Sequence, residues 1–142
     1  MAGQGYSETV VLKAGGDYSA LRYYAMRQSG AYAIRQLTSG AYVFGVLQNK
    51  PNASGTAAVI RRFGNGGVHK VVAGAALTIA EHSYVKCDDS GKFIAQTYSD
   101  LQVLSTISGS VPRFLCGRPS EVGDGDGSVV KIYVDQFPVL QG

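Results

Sequence analysis

The side chains best suited to catalysis or metal binding are few in this sequence and lie far apart along it. His69 and His82 have no cysteine or further histidine at the spacing of a zinc site. Cys87 or Cys116 could form a nucleophile pair with either histidine only through the fold, because no local pattern joins them. The sequence therefore predicts neither a zinc site nor a cysteine nucleophile. It favours buried, reduced thiols that pack as small apolar groups over a disulfide.

The acidic residues near the C-terminus partly match a calcium-binding loop. Asp124, Asp126 and Ser128 occupy the first three ligand positions, and Asp135 stands at the position of the final ligand. However, Val129 stands where the loop requires glycine, and the residues after it alternate as in a strand. We interpret this stretch as a solvated hairpin tip and predict no metal there.

Sequence patterns of hydrolases and nucleotide-binding enzymes do not occur in this chain. It contains no Gly-x-Ser-x-Gly elbow and no glycine-rich loop followed by Lys and Ser or Thr. Its acidic residues concentrate at predicted turns instead of facing one another along strands. The triplet from Asn52 to Ser54 is formally a glycosylation acceptor, which we interpret as the polar tip of a loop. We therefore expect no enzymatic activity, no catalytic residue and no cofactor.

Two runs combine arginines with aromatic residues, RYYAMR at 22–27 and RRF at 61–63. Such runs could stack nucleic-acid bases, but a strand places neighbouring residues on opposite faces, so each run divides into core aromatics and outward arginines. A net charge of +3 without a run of Lys or Arg also predicts no direct nucleic-acid binding. The outward arginines suit acidic protein partners instead.

The composition indicates one all-β domain. The 142 residues are 45% hydrophobic, which suffices for one sizeable core. The 19 glycines and 9 tyrosines favour short strands and tight turns over long helices. The first residues lack a basic segment followed by an apolar one, and no apolar stretch is long enough to span a membrane. We therefore expect a soluble protein made in a cytoplasm, with no membrane partner.

The stretch from Ala41 to Pro51 is the one around which the other strands are predicted to pack. Its run from Tyr42 to Leu47 is apolar on both faces, which is typical of a strand buried on both sides, and Gln48 to Pro51 ends it. Ser-Gly turns separate it from two earlier strands, at 22–28 and 31–37. The sequence therefore predicts an antiparallel meander of three strands.

The second half of the chain predicts further strands, joined by turns rich in glycine and aspartate. Asp88 to Gly91 is the strongest hairpin signal, whereas residues 99–110 fit a short helix and a loop equally well. The strands are predicted at 56–63, 68–73, 84–88, 92–97, 112–117 and 128–137. In the last strand, alternation predicts inward-facing Val130, Ile132 and Val134 and outward-facing Lys131, Tyr133 and Asp135.

These elements together predict a single-domain antiparallel β-sandwich or an open, β-tulip-like barrel over residues 14–142. An extended N-terminal arm is expected at 1–13, because the apolar piece from Thr9 to Leu12 has no pairing partner nearby in the sequence.

Five motifs follow one another in a characteristic order along the chain. They are VLKAGGDYSA at 11–20, FGVLQNKP at 44–51, AVIRRFG at 58–64, KVVAGAALTI at 70–79 and the DDSGKF turn at 88–93. This order resembles that of the small capsid decoration proteins of tailed phages, also called cement or auxiliary head proteins. The resemblance spans residues 11–117, and GVLQNKP is its most specific single part. Glu81 and His82 depart from it, since family members often have a Gly-Asp turn there, and the segment after Arg118 does not align.

The resemblance implies a non-enzymatic, structural virion protein, made in the host cytoplasm, that binds the outer surface of an icosahedral head where capsomers meet and stabilises it. The implied partners are the major capsid protein and further copies of the chain, with a trimer favoured over a dimer. We expect the arm to add a strand to a capsid subunit and to become ordered only when bound. The residues expected to bind the capsid are Tyr6, Thr9, Val10, Val11 and Leu12.

Two alternatives from other classes stay open. The first is a virion or cell-surface module that binds glycans through tyrosines, for which an exposed, planar aromatic platform is the distinguishing feature. The second is an enzyme without a recognisable motif, which requires a cluster of shifted ionisable groups in one cleft.

Overall fold

Ten β-strands make up the described part of the chain, and none of its residues lies in a helix. The computed structural model describes residues 9–64, 66–79, 83–97 and 112–140. The strands are β1 (Thr9–Ala14), β2 (Ala25–Ser29), β3 (Tyr32–Arg35), β4 (Gly45–Leu47), β5 (Ala57–Arg62), β6 (Gly67–Val72), β7 (Ser83–Cys87), β8 (Phe93–Thr97), β9 (Pro112–Pro119) and β10 (Val129–Leu140). The prediction of an all-β protein is confirmed. Within these ranges, no helix exists that is long and apolar enough to cross a membrane.

The first five strands close into a barrel in the order β1-β3-β2-β4-β5. The barrel is closed, not open, because β1 pairs with β5 on one side and with β3 on the other. The β1–β3 pair is parallel, whereas the other neighbouring pairs are antiparallel. The predicted meander is wrong in its last step, since β4 pairs with β2 instead of β3. The segment between β3 and β4 contacts the second sheet before the chain enters β4: its Gly40 N–H donates to the Cys87 carbonyl over 2.9 Å.

The N-terminal strand β1 is part of the barrel wall. It pairs with β5 from Thr9, opposite Arg61, to Lys13, opposite Ala57. Its side chains alternate, and Val10 and Leu12 pack against the buried cluster inside the barrel. Residues 9–13 therefore belong to the folded domain and not to an unpaired arm, while residues 1–8 lie outside the described ranges.

The central strand is shorter than predicted, and the predicted burial on both faces holds only for its three residues, since Tyr42 is exposed. Gly45, Val46 and Leu47 are all buried. Upstream, the main chain of Val43 binds a side chain instead of a strand: its N–H donates to Gln136 Oε1 over 2.8 Å, and its carbonyl accepts from Gln136 Nε2 over 2.9 Å. The side-chain amide thus replaces the peptide group of a partner strand, which is why regular pairing begins only at Gly45.

The remaining five strands form a second sheet in the order β6-β10-β9-β7-β8. The predicted hairpin between β7 and β8 is confirmed, and Asp88 Oδ1 fixes its turn by accepting from the N–H groups of Ser90 and Lys92, each over 2.9 Å. The predicted faces of β10 are confirmed as well. Val130, Ile132 and Val134 are buried, and Lys131, Tyr133 and Asp135 are exposed. The ambiguous segment at 99–110 lies outside the described residues.

The two sheets share one hydrophobic core. Ala25, Val43 and Val46 from the barrel side belong to the same buried cluster as Phe93 and Ile132 from the second sheet. A second cluster fills the barrel itself, around Met26, Leu47 and Ile60. The continuity of the first cluster makes the two sheets a single folding unit.

Gly45→Ala tests the closeness of β4 and β5. A Cβ at Gly45 would lie 2.4 Å from the Arg61 carbonyl oxygen, so the two backbones would have to separate. We expect a loss of about 2–4 kcal/mol in the free energy of unfolding, measured by denaturant titration. Gly16→Ala is the matched control, because its Cβ would meet only Tyr18 Cε1 at 3.6 Å and should change stability by less than about 0.5 kcal/mol. Equal losses in the two variants would contradict this account of β4.

Candidate functional site

Among the described strands, none pairs with one edge of the N-terminal half of β1, and we call this the open edge. The N–H groups of Lys13 and Gly15 donate toward β3, to the carbonyls of Ala31 and Ala33, whereas the N–H of Ala14 donates toward β5. Since alternate peptide groups of a strand point to opposite edges, the N–H and C=O of Val11 point to the β3 side. The register of β1 with β3 begins only at Lys13, so no described strand covers this edge over residues 9–12.

The predicted capsid-binding residues divide between the two faces of β1. Thr9 and Val11 face outward, and the Val11 side chain is 63% exposed. Val10 and Leu12 point into the barrel and pack against its core. Tyr6 lies outside the described residues. The residues able to contact a partner from this strand are therefore Thr9 and Val11, together with the main chain of Val11.

A second surface is an aromatic groove of about 680 Å³ on the second sheet. The Tyr84 ring packs edge to face on Phe137, with 5.9 Å between centroids and an 82° angle between planes. The Arg118 guanidinium lies over the Tyr84 ring at 5.2 Å, and the neighbouring Tyr133 is 58% exposed. Because two of the rings are nearly perpendicular, the groove is not the planar aromatic platform expected of a glycan site.

A third surface is a basic groove of about 330 Å³ where the barrel meets the second sheet. It is lined by Tyr23, Gln48, Arg61, Val68, Lys70 and Lys131. No sequence pattern indicates this groove, because Lys70 and Lys131 lie on distant parts of the chain and are brought together only by the pairing of β6 with β10.

The arginine runs only partly follow the predicted division of faces. In the second run Phe63 is buried, as expected, and Arg62 lies over the Phe44 ring at 5.3 Å. In the first run the buried residues are Ala25 and Met26, whereas both tyrosines are only half-buried. The tyrosines stay near the surface because they precede β2, where the chain has not yet entered regular alternation.

His69 lies in the core. It is fully buried, its ring packs edge to face on Phe63 at 4.9 Å, and its Nε2 lies 2.9 Å from the Gly66 carbonyl oxygen. Burial lowers the pKa of His69 to about 4, opposed by the Gly66 hydrogen bond and assisted by the charge of Arg61. His69 is therefore neutral at physiological pH and packs as a core aromatic. His82 lies outside the described residues.

The two cysteines are free and buried, as predicted. Cys87 Sγ donates to the Thr38 carbonyl over 3.3 Å, and burial raises the pKa of its thiol. Burial raises the pKa of the Cys116 thiol well above its usual value. Both thiols are thus held in the unreactive, protonated form.

The aspartates of the calcium-like stretch do not converge. Asp126 forms an ion pair with Lys92 over 2.8 Å, and Asp135 lies on the outer face of β10. Among the described residues, no group of three or more His, Cys, Asp or Glu side chains is arranged to hold a metal ion.

Comparison with known proteins adds no relative: no family model, no curated protein and no solved structure matches this chain.

The buried His69 makes stability depend on pH. Its folded pKa of about 4 lies below the unfolded value of 6.5, so the unfolded state binds the proton first. Stability from this group is full above about pH 6.5 and falls by about 3 kcal/mol toward pH 4. Urea titrations at pH 7, 5.5 and 4.5 measure how the free energy of unfolding depends on pH. His69→Gln should flatten this pH dependence, and an unchanged dependence in that variant would contradict the assignment.

Proposed function

We propose that this chain is a structural virion protein, without enzymatic activity, that decorates the outer surface of a tailed-phage head and stabilises it. Its partner is the major capsid protein, contacted where capsomers meet. The observation that carries the proposal is the open edge of β1, which lies in the segment where the sequence predicts capsid binding. The order of motifs from VLKAGGDYSA to DDSGKF supports the same function.

An open strand edge suits a partner that is an array of identical subunits. Main-chain N–H and C=O groups bind a partner strand while demanding little of its side chains. The edge at Val11 is already held in place by the pairing of β1 with β5, so binding costs less ordering entropy than a free arm would require. This replaces the expectation that the segment becomes ordered only on the capsid.

The proposal includes a homo-oligomer, with a trimer favoured over a dimer. When the open edge of one subunit has bound the head, the effective concentration of the next subunit's edge rises. Several contacts that are weak individually therefore attach the oligomer firmly. Ile79 and Val122 are 60% and 62% exposed, and they lie on segments joined by the bridge between Leu77 and Gly123. They provide apolar surface for contact between copies.

Val11→Pro tests strand addition at this edge. Proline removes the N–H of Val11, which points to the open edge. The hydrogen bonds between β1 and β5 stay intact, because they are made by Val10 and Leu12 and not by Val11. We expect binding to assembled heads, made from the major capsid protein encoded in the same genome, to weaken by about tenfold per edge. Co-sedimentation measures binding, and thermal melting verifies that the domain still folds.

Val11→Thr is the control at the same position, because it keeps the main-chain donor and the branched shape. It should bind heads like the unaltered protein and protect them equally against heating, as seen by negative-stain electron microscopy. Undiminished binding of the proline variant, or an equal loss in both variants, would refute strand addition through the main chain.

Glycan binding on a virion or cell surface is the second candidate: the aromatic groove lacks a planar platform, but it holds an exposed tyrosine beside polar side chains. Sugars bind on exposed aromatic faces beside polar side chains, and this groove combines Tyr133 with Arg118 and Asp135.

Tyr133→Ala separates this candidate from capsid decoration. If the groove binds glycans, the variant should lose about tenfold in affinity for any glycan that the unaltered protein retains on an array. Tyr32→Ala is the matched control, since Tyr32 is 40% exposed on the barrel, outside the groove. An array on which the unaltered protein binds nothing would remove this candidate.

A further inference from the structure

Lys70 and Lys131 form a like-charged pair across two adjacent strands. They are register partners in the antiparallel ladder of β6 and β10, and both are exposed. The main chain of Lys131 points the other way: its N–H donates to Glu121 Oε1, and its carbonyl accepts from the Ser120 N–H, each over 2.9 Å. The two lysines are therefore a non-hydrogen-bonded pair, the kind in which opposite side chains lie closest.

This pairing is unfavourable for the isolated protein. Like charges directly opposite each other on antiparallel strands repel. Neither ammonium group forms an ion pair with any residue in the described ranges, and the carboxylate of Glu121 is engaged by the main chain of Lys131. An anionic ligand bound between the two ammonium groups would relieve this repulsion.

Arginine side chains extend the positive surface along the groove and are held in place. Arg61 Nη1 donates to the Val68 carbonyl over 2.8 Å, which fixes its guanidinium at the groove wall. Arg22 Nε donates to the Gln48 carbonyl over 3.1 Å, and the Arg22 guanidinium lies over the Tyr23 ring at 4.7 Å. Because these side chains are already ordered, an anionic ligand would meet them at a reduced entropic cost.

The groove also offers main-chain groups of β6, which ends the sheet order. Since the main chain of Lys131 faces β9, the N–H and C=O of Lys70 face away from β10 and toward the groove. On either side, the Val68 carbonyl is bound by Arg61, and the Val72 N–H donates to the Tyr23 carbonyl over 3.2 Å. The main-chain groups of Lys70 lie between these two bonds and face the groove.

We propose that the basic groove binds an acidic, extended segment of a partner protein. Carboxylates of the segment neutralise Lys70 and Lys131 and complete the hydrogen bonding of Arg61, while its main chain lies against the edge of β6. Val68, 39% exposed, and the ring of Tyr23 give the segment apolar contact that a bare polyanion would not use. The inference rests on the groove alone and does not require the partner to be a capsid protein.

The probe is a fluorescent peptide of alternating glutamate and threonine, about ten residues long, which favours an extended strand. Fluorescence anisotropy should detect binding to the full chain, weakening as salt is raised. The same peptide with glutamine in place of glutamate should bind at least tenfold more weakly. Lys70→Gln with Lys131→Gln should weaken binding of the acidic peptide by about tenfold.

The control variant Lys13→Gln with Arg27→Gln removes the same two charges from exposed positions outside the groove and should bind the peptide normally. Lys131→Glu is a second test, because it turns the repulsive pair into an attractive one. Its melting temperature should be no lower than that of the unaltered protein, and it should no longer bind the peptide. Loss of binding in this variant therefore cannot be attributed to unfolding.

Three outcomes would overturn the inference: no binding of the acidic peptide, equal weakening by the control variant, and tighter binding of a sulfated oligosaccharide or of single-stranded DNA than of the peptide. Since no phage head enters the experiment, these outcomes are independent of the co-sedimentation test of capsid decoration.

Discussion

The arrangement of the whole molecule depends on main-chain hydrogen bonds at residues 23–25, where the barrel meets the second sheet. The Tyr23 N–H donates to the Leu47 carbonyl over 2.7 Å in β4, and its carbonyl accepts from the Val72 N–H in β6. Two residues later, the Ala25 N–H donates to the Gly91 carbonyl over 2.7 Å in the turn between β7 and β8. Tyr23 adopts a φ of 70°, which costs a non-glycine residue about 1–3 kcal/mol. Bonds to both sheets, each contributing about 1 kcal/mol, offset this strain and fix the angle at which the sheets meet.

Side-chain amides continue the pairing where strands stop. Gln136 can reach Val43 because β10 bulges, with Asp135 and Gln136 lying between the register pairs at Val134 and Phe137. Asn49 acts similarly beside β5: its Nδ2 donates to the Ala57 carbonyl and its Oδ1 accepts from the Val59 N–H, both over 3.0 Å. The stretch GVLQNKP is therefore accounted for structurally, by a glycine at a close backbone approach, buried Val46 and Leu47, and an asparagine that binds the next strand.

What the sequence could predict was local. The Asp88 turn and the alternating faces of β10 each depend on residues adjacent in the chain, and both were predicted correctly. The position of β1 was not, because its partners lie far along the chain and nothing near Thr9 indicates them. The basic groove was missed for the same reason, since only the pairing of β6 with β10 brings Lys70 opposite Lys131.

The position of β1 also sets an order of events during synthesis. Of the described strands, β1 leaves the ribosome first, but Val10 can pair only after Ile60 has been synthesised, and Lys13 only after Tyr32. At about 5–20 residues per second, β1 spends several seconds without its partner strands, so the barrel closes late. In a polysome, many nascent chains lie close together. The β1 strand of one chain can then pair with β3 and β5 of another chain before β3 and β5 of its own chain have been synthesised. Exchange of this strand between nascent chains is therefore the characteristic misassembly to which this topology is exposed.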